Sequence, residues 1–195
     1  MKKMKMLLSA LVAAVSLGLV AGTPTGLYVN YQSVQEGAGD NINWTFEDNW
    51  ITLKKPNSDY VISGVDKTHK VGIRLEEGGS GEYNVLIKDF TLTVDASVER
   101  GAFVLREGVS CTLRFRGTCT LRSGRYYAGI EVPSSSQITI KDDDLDVASL
   151  YVTGGKYGAG IGGAHNTRHP GAITIDCDDL GFISATGNYG AGIGG

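Results

Sequence analysis

The segment YGAGIGG at residues 157–163 decides the fold, because it returns unchanged at residues 189–195, 32 positions further along the chain. A weaker copy at residues 126–130 lies 31 positions before it, and degenerate copies occur at residues 70–75 and 101–105. Self-similarity at a period of about 20–50 residues is the signature of a repeat architecture. The sequence therefore predicts stacked structural repeats of about 30 residues each.

Each repeat carries three short segments of β-favouring residues with apolar side chains at every second position. The segments align in three columns, which contain Ile73, Phe103, Ile130, Ile161 and Ile193; Val85, Cys111, Ile138 and Ile173; and Leu92, Cys119, Leu150 and Ile183. One repeat cannot bury its apolar face alone, so equivalent strands of successive repeats must pair in parallel, with the column residues pointing inward. The sequence predicts an all-β fold, a single-stranded parallel β-helix that is right-handed, because parallel crossovers almost always are.

The chain divides into three predicted regions. Residues 1–22 have the pattern of a secretory signal peptide, with a lysine-rich start, an apolar run and small residues after it. Residues 23–59 do not follow the repeat and are predicted to form an N-terminal β cap, since the end repeats of solenoids are atypical. Residues 60–195 are predicted to form a β-helix of about five coils with an open C-terminal edge. Either the chain is a truncated fragment and further repeats follow, or another chain covers the edge.

The net charge and the apolar runs of the sequence limit which partners and which cellular location are expected. The 195 residues include 28 glycines and carry a formal net charge of −3, which argues against nucleic acid as a partner. After the signal peptide, no apolar run is long enough to span a bilayer, so no transmembrane segment is expected. We expect a secreted or cell-surface bacterial protein.

Three cysteines are an odd number for an exported protein. Cys111 and Cys119 could pair with each other, or all three cysteines could be buried thiols. The second alternative is favoured, because Cys111 and Cys119 align with apolar positions and a free cysteine often behaves as a small buried hydrophobe.

A column of tyrosines is the best candidate for a binding site. Tyr126, Tyr157 and Tyr189 align on three consecutive repeats, and stacked strands lie about 4.8 Å apart. Facing solvent, such a strip would bind sugar rings; alternatively, the tyrosines stack on one another and have a structural role. Lys70 and Arg100 are expected to continue the same column, which would favour an acidic polysaccharide.

Acidic residues suggest two further kinds of site. Asp142, Asp144 and Asp146 alternate as calcium ligands do, but the EF-hand pattern is missing, and a solvated acidic turn is the favoured interpretation. No metal or other cofactor is predicted, structural calcium being the disfavoured alternative. The pairs Asp142-Asp143 and Asp178-Asp179, with His165, Arg168 and His169 in the longest insertion, could form a glycosidase site.

A family resemblance adds to these patterns. GKYGAGIGGAHNTRHPGAITI (residues 155–175) and ISATGNYGAGIGG (residues 183–195) resemble repeats of large secreted or surface proteins of gut and anaerobic bacteria. The upstream segments YVISG (residues 60–64) and CTLRFRGTCTL (residues 111–121) are similar to the start of such proteins. The resemblance implies a β-helical, carbohydrate-binding-domain-like protein that binds polysaccharide and is not an enzyme. The acidic stretch at residues 142–146 departs from the glycine-rich turn of that family.

The sequence thus predicts a non-catalytic exported β-helix protein, carbohydrate-binding or adhesin-like at a bacterial cell surface. One alternative is a polysaccharide lyase or hydrolase of the pectin-degrading type. Another is a purely structural stalk of a larger surface protein.

Overall fold

The structure is a computed structural model that describes residues 24–35, 37–39, 42–76, 81–143, 147–165 and 169–195. The predicted signal peptide lies outside these residues. The described part contains strands and loops and no helix. The strands are β1 (Leu27–Val29), β2 (Gln32–Ser33), β3 (Trp44–Glu47), β4 (Trp50–Leu53), β5 (Asp59–Val65), β6 (Gly72–Leu75), β7 (Glu82–Thr93), β8 (Phe103–Leu105), β9 (Ser110–Arg122), β10 (Ile130–Glu131), β11 (Gln137–Asp142), β12 (Ala148–Thr153), β13 (Ile161–Gly162), β14 (Ala172–Ile175), β15 (Gly181–Thr186) and β16 (Ile193–Gly194).

These strands stack into a parallel β-solenoid, which confirms the predicted fold class. One sheet has the order β16-β13-β10-β8-β6-β4-β3, and every pair from β4 to β16 is parallel. In the other sheet, β5, β7 and β9 pair in parallel, and β9 then pairs with both β11 and β12, which continue into β14 and β15. From β5 onward the chain forms five levels, joined by about four turns.

Two of the three predicted segments of a repeat form one continuous, bent strand in the middle levels. The bend lies at Asp89 in β7 and at Gly117 in β9, whose φ angles of 44° and 65° are left-handed. A Cβ on Gly117 would collide with the Asp89 carboxylate, and the left-handed φ angle also favours glycine there. At each of the next two levels, two separate strands take the place of the bent strand. They are β11 and β12, and then β14 and β15.

The strand register confirms the first predicted column and corrects the other two. Ile73, Phe103, Ile130, Ile161 and Ile193 lie opposite one another on successive levels. Cys111, however, pairs with Tyr83 rather than with Val85, and Cys119 pairs with Phe90 rather than with Leu92. Because side chains alternate with a period of two, a shift of two residues keeps every apolar side chain on its predicted face.

The inward columns form one continuous apolar core. Ile73, Phe103, Ile130 and Ile161 are completely buried. Cys111 and Cys119 are buried free thiols, as predicted, and Cys177 is a half-buried free thiol. Burial raises the pKa of the Cys119 thiol to about 11.

The level formed by β14, β15 and β16 differs from those beneath it. Ile193 is 49% exposed, although it occupies a column position where we expected an inward, buried side chain. Ile175, which pairs with the buried Ile140, is 43% exposed. Among the described residues, these strands have neighbours on one side only. The predicted alignment is therefore confirmed, whereas burial is incomplete at this level.

The first strands depart from the parallel pattern. β1 pairs antiparallel with β2 and with β5, and β3 pairs antiparallel with β4. Trp44 and Phe46 from β3 are buried in the same core. The role of residues 23–59 as a cap stays a prediction.

Candidate functional site

The three predicted tyrosines form a stacked ladder along one corner of the solenoid. Each lies four residues before a column isoleucine. The ring centroids of Tyr126 and Tyr157 are 5.7 Å apart, and those of Tyr157 and Tyr189 are 5.8 Å apart, with interplanar angles of 13° and 23°. The rings therefore stack on one another, which was the alternative to a strip of free ring faces. Tyr189 is 73% exposed and keeps ring surface in solvent.

A cationic side chain accompanies the ladder at two levels. The Arg125 guanidinium carbon lies 5.1 Å from the Tyr126 ring centroid, and Lys156 Nζ lies 5.2 Å from that of Tyr157 and 5.8 Å from that of Tyr189. Interaction of its hydroxyl with the Lys156 side chain lowers the pKa of Tyr157, and Arg125 adds a smaller effect. The positive charges thus lie directly beside the tyrosine rings, where cation–π attraction favours them.

Lys70 and Arg100 do not continue the ladder. Both lie three residues before the first column, not four, and the backbone confirms the difference for Arg100. Its carbonyl accepts a hydrogen bond from Gly124 N in the same way that the Tyr127 carbonyl accepts one from Gly155 N. The Arg100 guanidinium instead lies over the Trp50 ring, 4.7 Å from its centroid, and donates to the Asp48 carbonyl. A slip of one residue turns a side chain in another direction, which is why our alignment misplaced these two.

A groove runs beside the ladder, across four levels of the solenoid. Its walls are the turns at residues 95–97, 122–125, 153–156 and 186–189, and its volume is about 900 Å³. The register places Arg122 opposite Thr153, and Thr153 opposite Thr186, so the same position of each level lines the groove. Three steps between strands make it about 14 Å long. We call this feature the axial groove.

The axial groove is predominantly basic. Among the described residues, Arg122, Arg125 and Lys156 line it, against the single carboxylate of Asp95. The backbone N and the hydroxyl of Ser97 both donate to Asp95 Oδ1, and these bonds lower the pKa of that carboxyl. The groove therefore presents two net positive charges, with Tyr189 at its far end.

The basic residues of the groove were not predicted from the sequence, although a signal was present. A cation directly precedes Tyr126 and Tyr157, and the polar Asn188 takes the equivalent place before Tyr189. Arg122 ends β9, one turn before Arg125, and no repeat position marks it, because Thr153 and Thr186 follow in its column.

The acidic candidates lie elsewhere and serve structural contacts. Asp142 is buried and its Oδ1 accepts a hydrogen bond from Asp178 N, while burial raises the pKa of its carboxyl. Asp143 forms ion pairs with Arg114 and Arg116. The described residues contain no group of three or more His, Cys, Asp or Glu side chains placed to hold a metal ion. Asp178 Oδ1 accepts a hydrogen bond from Leu180 N, which is a local turn contact. Asp144 and Asp146 lie outside the described residues, as does Arg168.

His165 belongs to the ladder. Its ring centroid lies 5.5 Å from that of Tyr126 and 5.2 Å from that of Tyr157. Its backbone N donates to the Tyr126 carbonyl, which ties the insertion to the corner. His165 therefore covers the side of the rings, a packing role that its position in the sequence did not indicate.

No protein-family model, curated protein or solved structure matches this chain. Within the ranges that the structure describes, no helix is long and apolar enough to cross a membrane.

Proposed function

We propose that this chain is an exported, non-catalytic protein that binds an acidic polysaccharide in the axial groove, in secreted form or at a bacterial cell surface. The observation that carries the proposal is the cluster of three cations along the groove. Arg122 and Arg125 come from one level and Lys156 from the next, beside stacked tyrosine rings.

The chemistry of a uronic-acid polymer fits this arrangement. Such a polymer presents carboxylates at regular intervals between hydroxyl-rich rings. Arginine binds carboxylates through two parallel hydrogen bonds, and lysine adds a mobile positive charge. The exposed ring of Tyr189 offers an apolar surface for one sugar face and a hydroxyl for its polar edge.

Binding at one groove is expected to be weak and sensitive to salt. The groove is open and about 14 Å long, so it holds only about two or three sugar units. Exposed ion pairs contribute little each and are screened at physiological ionic strength. Useful affinity would come from many proteins binding along one polymer.

The test compares two double variants of equal charge. Arg125→Ala/Lys156→Ala removes two groove cations, whereas Lys55→Ala/Lys88→Ala removes two exposed lysines elsewhere. We expect the first to weaken binding of polygalacturonate about tenfold at low salt, and the second to leave it nearly unchanged. Equal losses in the two folded variants would reduce the interaction to overall charge and contradict the proposal.

The same samples distinguish binding from catalysis. A pectin-degrading lyase would release unsaturated products from polygalacturonate, and a hydrolase would release reducing ends. We expect neither over prolonged incubation. A structural stalk would bind no polygalacturonate at all.

A further inference from the structure

A second cavity lies on the outer face of the sheet that contains β4, β6, β8 and β10. Its volume is about 300 Å³, and its floor follows one line across three levels, through Arg74, Val104 and Glu131. The side walls consist of the aromatic rings of Trp50 and Tyr127, the charged side chains of Arg106 and Glu107, and Pro133. We call it the face pocket. It shares no lining residue with the axial groove.

Glu131 is the unusual group in the face pocket. Its Oε2 atom is buried and accepts no hydrogen bond from any described residue. Glu131 also forms no ion pair with Arg74 or Arg106, the two arginines that line the same pocket. Burial raises the pKa of its carboxyl to about 7, and the positive charge of Arg106 offsets only part of that effect. A buried acceptor without a hydrogen-bond donor costs folding free energy, so a ligand that donates a hydrogen bond to this atom would be stabilised.

The arginines around the pocket differ in how many contacts their guanidinium groups make. Arg74 Nε donates to Thr52 Oγ1 at 2.9 Å, and its guanidinium lies 5.5 Å from the Trp50 ring centroid. Arg100 lies against the same ring at 4.7 Å, so Trp50 and both guanidinium groups are held in place. Arg106 is exposed, and its guanidinium makes no hydrogen bond or ion pair within the described part of the chain. An unpaired Arg106 guanidinium and an unsatisfied Glu131 carboxylate oxygen therefore line the same pocket.

We propose that the face pocket binds one neutral sugar ring. A ring hydroxyl would donate to Glu131 Oε2, Arg106 would donate to a second hydroxyl oxygen, and the apolar face of the ring would lie against Tyr127. A polyhydroxylated ring supplies both the donor and the acceptor that the pocket requires. This site lies apart from the groove and takes a ligand of different charge, so it goes beyond the proposed function.

Charge balance selects a neutral ligand. Arg74 and Arg106 oppose Glu107 and Glu131 within the pocket, and Arg100 lies just behind Trp50. The two guanidinium groups and the two carboxylates of the lining cancel, so neither an organic cation nor an anion gains a net attraction from them. A hydroxyl carries no charge and forms a charge-assisted hydrogen bond with Glu131.

The experiment measures binding of methyl glycosides of glucose, galactose, mannose, xylose and N-acetylglucosamine by ligand-observed NMR. We expect at least one to bind the full chain and Glu131→Leu to weaken it at least tenfold. Leucine removes the acceptor at similar size and spares the cost of a buried carboxyl, so the variant should fold. No binding by any of these glycosides, or equal binding by a folded Glu131→Leu protein, would overturn the proposal.

The pH dependence separates direct contact from a structural role. The charged or titratable groups that face Glu131 in the pocket are Arg74, Arg106, Glu107 and Tyr127. A hydroxyl that donates to Glu131 favours the ionised form, so the sugar should lower the pKa of this carboxyl. Affinity should then fall up to about tenfold between pH 8 and pH 6, as Glu131 becomes protonated. Glu131→Gln should remove this dependence, and an unchanged profile in that variant would contradict the assigned contact.

The groove variants keep the two proposals distinguishable. Arg125→Ala/Lys156→Ala should retain the neutral sugar while it loses polygalacturonate. Glu131→Leu should show the reverse pattern. If the groove variant also lost the neutral sugar, the face pocket would not be an independent site.

Discussion

Two levels of the solenoid share an identical seven-residue segment but have different surroundings. The segment at residues 157–163 and its copy at residues 189–195 are identical, and their strands β13 and β16 pair directly. Ile161 is completely buried, whereas Ile193 is 49% exposed. Only Ile161 has a described level on each side, so burial in this fold comes from the neighbouring level rather than from the residue itself.

This identity provides matched controls within one chain. Any substitution in the inner copy can be repeated at the same position of the outer copy, where the local sequence is unchanged. The difference between the two effects then isolates what stacking on a second level contributes.

The largest difference is expected at the isoleucine. Ile161→Ala should lower the free energy of unfolding by about 2–5 kcal/mol, because it leaves a cavity between two packed levels. Ile193→Ala should cost about 1 kcal/mol, since only part of its side chain is removed from water. Urea denaturation of both variants measures the two values. Equal losses would mean that the outer level is covered in solution.

A smaller difference is expected at the glycine that follows. Gly162 and Gly194 both have positive φ angles, 140° and 110°, so alanine is strained at either position. A Cβ on Gly162 would also collide with the Gly194 backbone, whereas a Cβ on Gly194 meets no atom within 4 Å. Gly162→Ala should therefore be about 1–3 kcal/mol more destabilising than Gly194→Ala. Thermal unfolding of the pair tests this order, and a reversed order would show that the close approach of the two backbones is absent.

The sequence contained enough information to predict the solenoid and the faces of its strands. Exact repetition located the level of Ile161 and Ile193 without error, because a copied motif fixes its own alignment. Where the motif decays, only the alternation of apolar residues remains, and it cannot distinguish a register from one shifted by two residues. Cys111 was therefore matched to Val85 instead of Tyr83.

The sites were harder to predict than the fold, because they combine residues that do not repeat. The axial groove joins Arg122 to Lys156 through a corner geometry that no periodic pattern encodes. In the face pocket, Trp50 comes from a strand before the first repeat and meets Glu131 only because the levels stack. The tyrosine column was found, but the turning of its rings toward one another depends on side-chain packing.

The smallest difference between the inner and outer levels is expected at the tyrosines of the ladder. Tyr157 stacks on a tyrosine at each side, whereas Tyr189 stacks on Tyr157 alone. Each aromatic pair contributes about 0.5–1.5 kcal/mol beyond its buried area. Tyr157→Ala should therefore lower the free energy of unfolding by about 1 kcal/mol more than Tyr189→Ala does.

Binding should rank the same two variants in the opposite order. Tyr189 lines the axial groove and is mostly exposed, whereas Tyr157 is not among the residues that line it. Tyr189→Ala should therefore weaken binding of polygalacturonate more than Tyr157→Ala does, by roughly threefold, because only Tyr189 offers its ring to the sugar. Denaturation and binding are measured on the same two proteins. Tyr157→Ala should lose more stability, and Tyr189→Ala should lose more affinity. If Tyr157→Ala were the more damaging change in both assays, the ladder would act as one structural unit and the ligand would contact the cations alone.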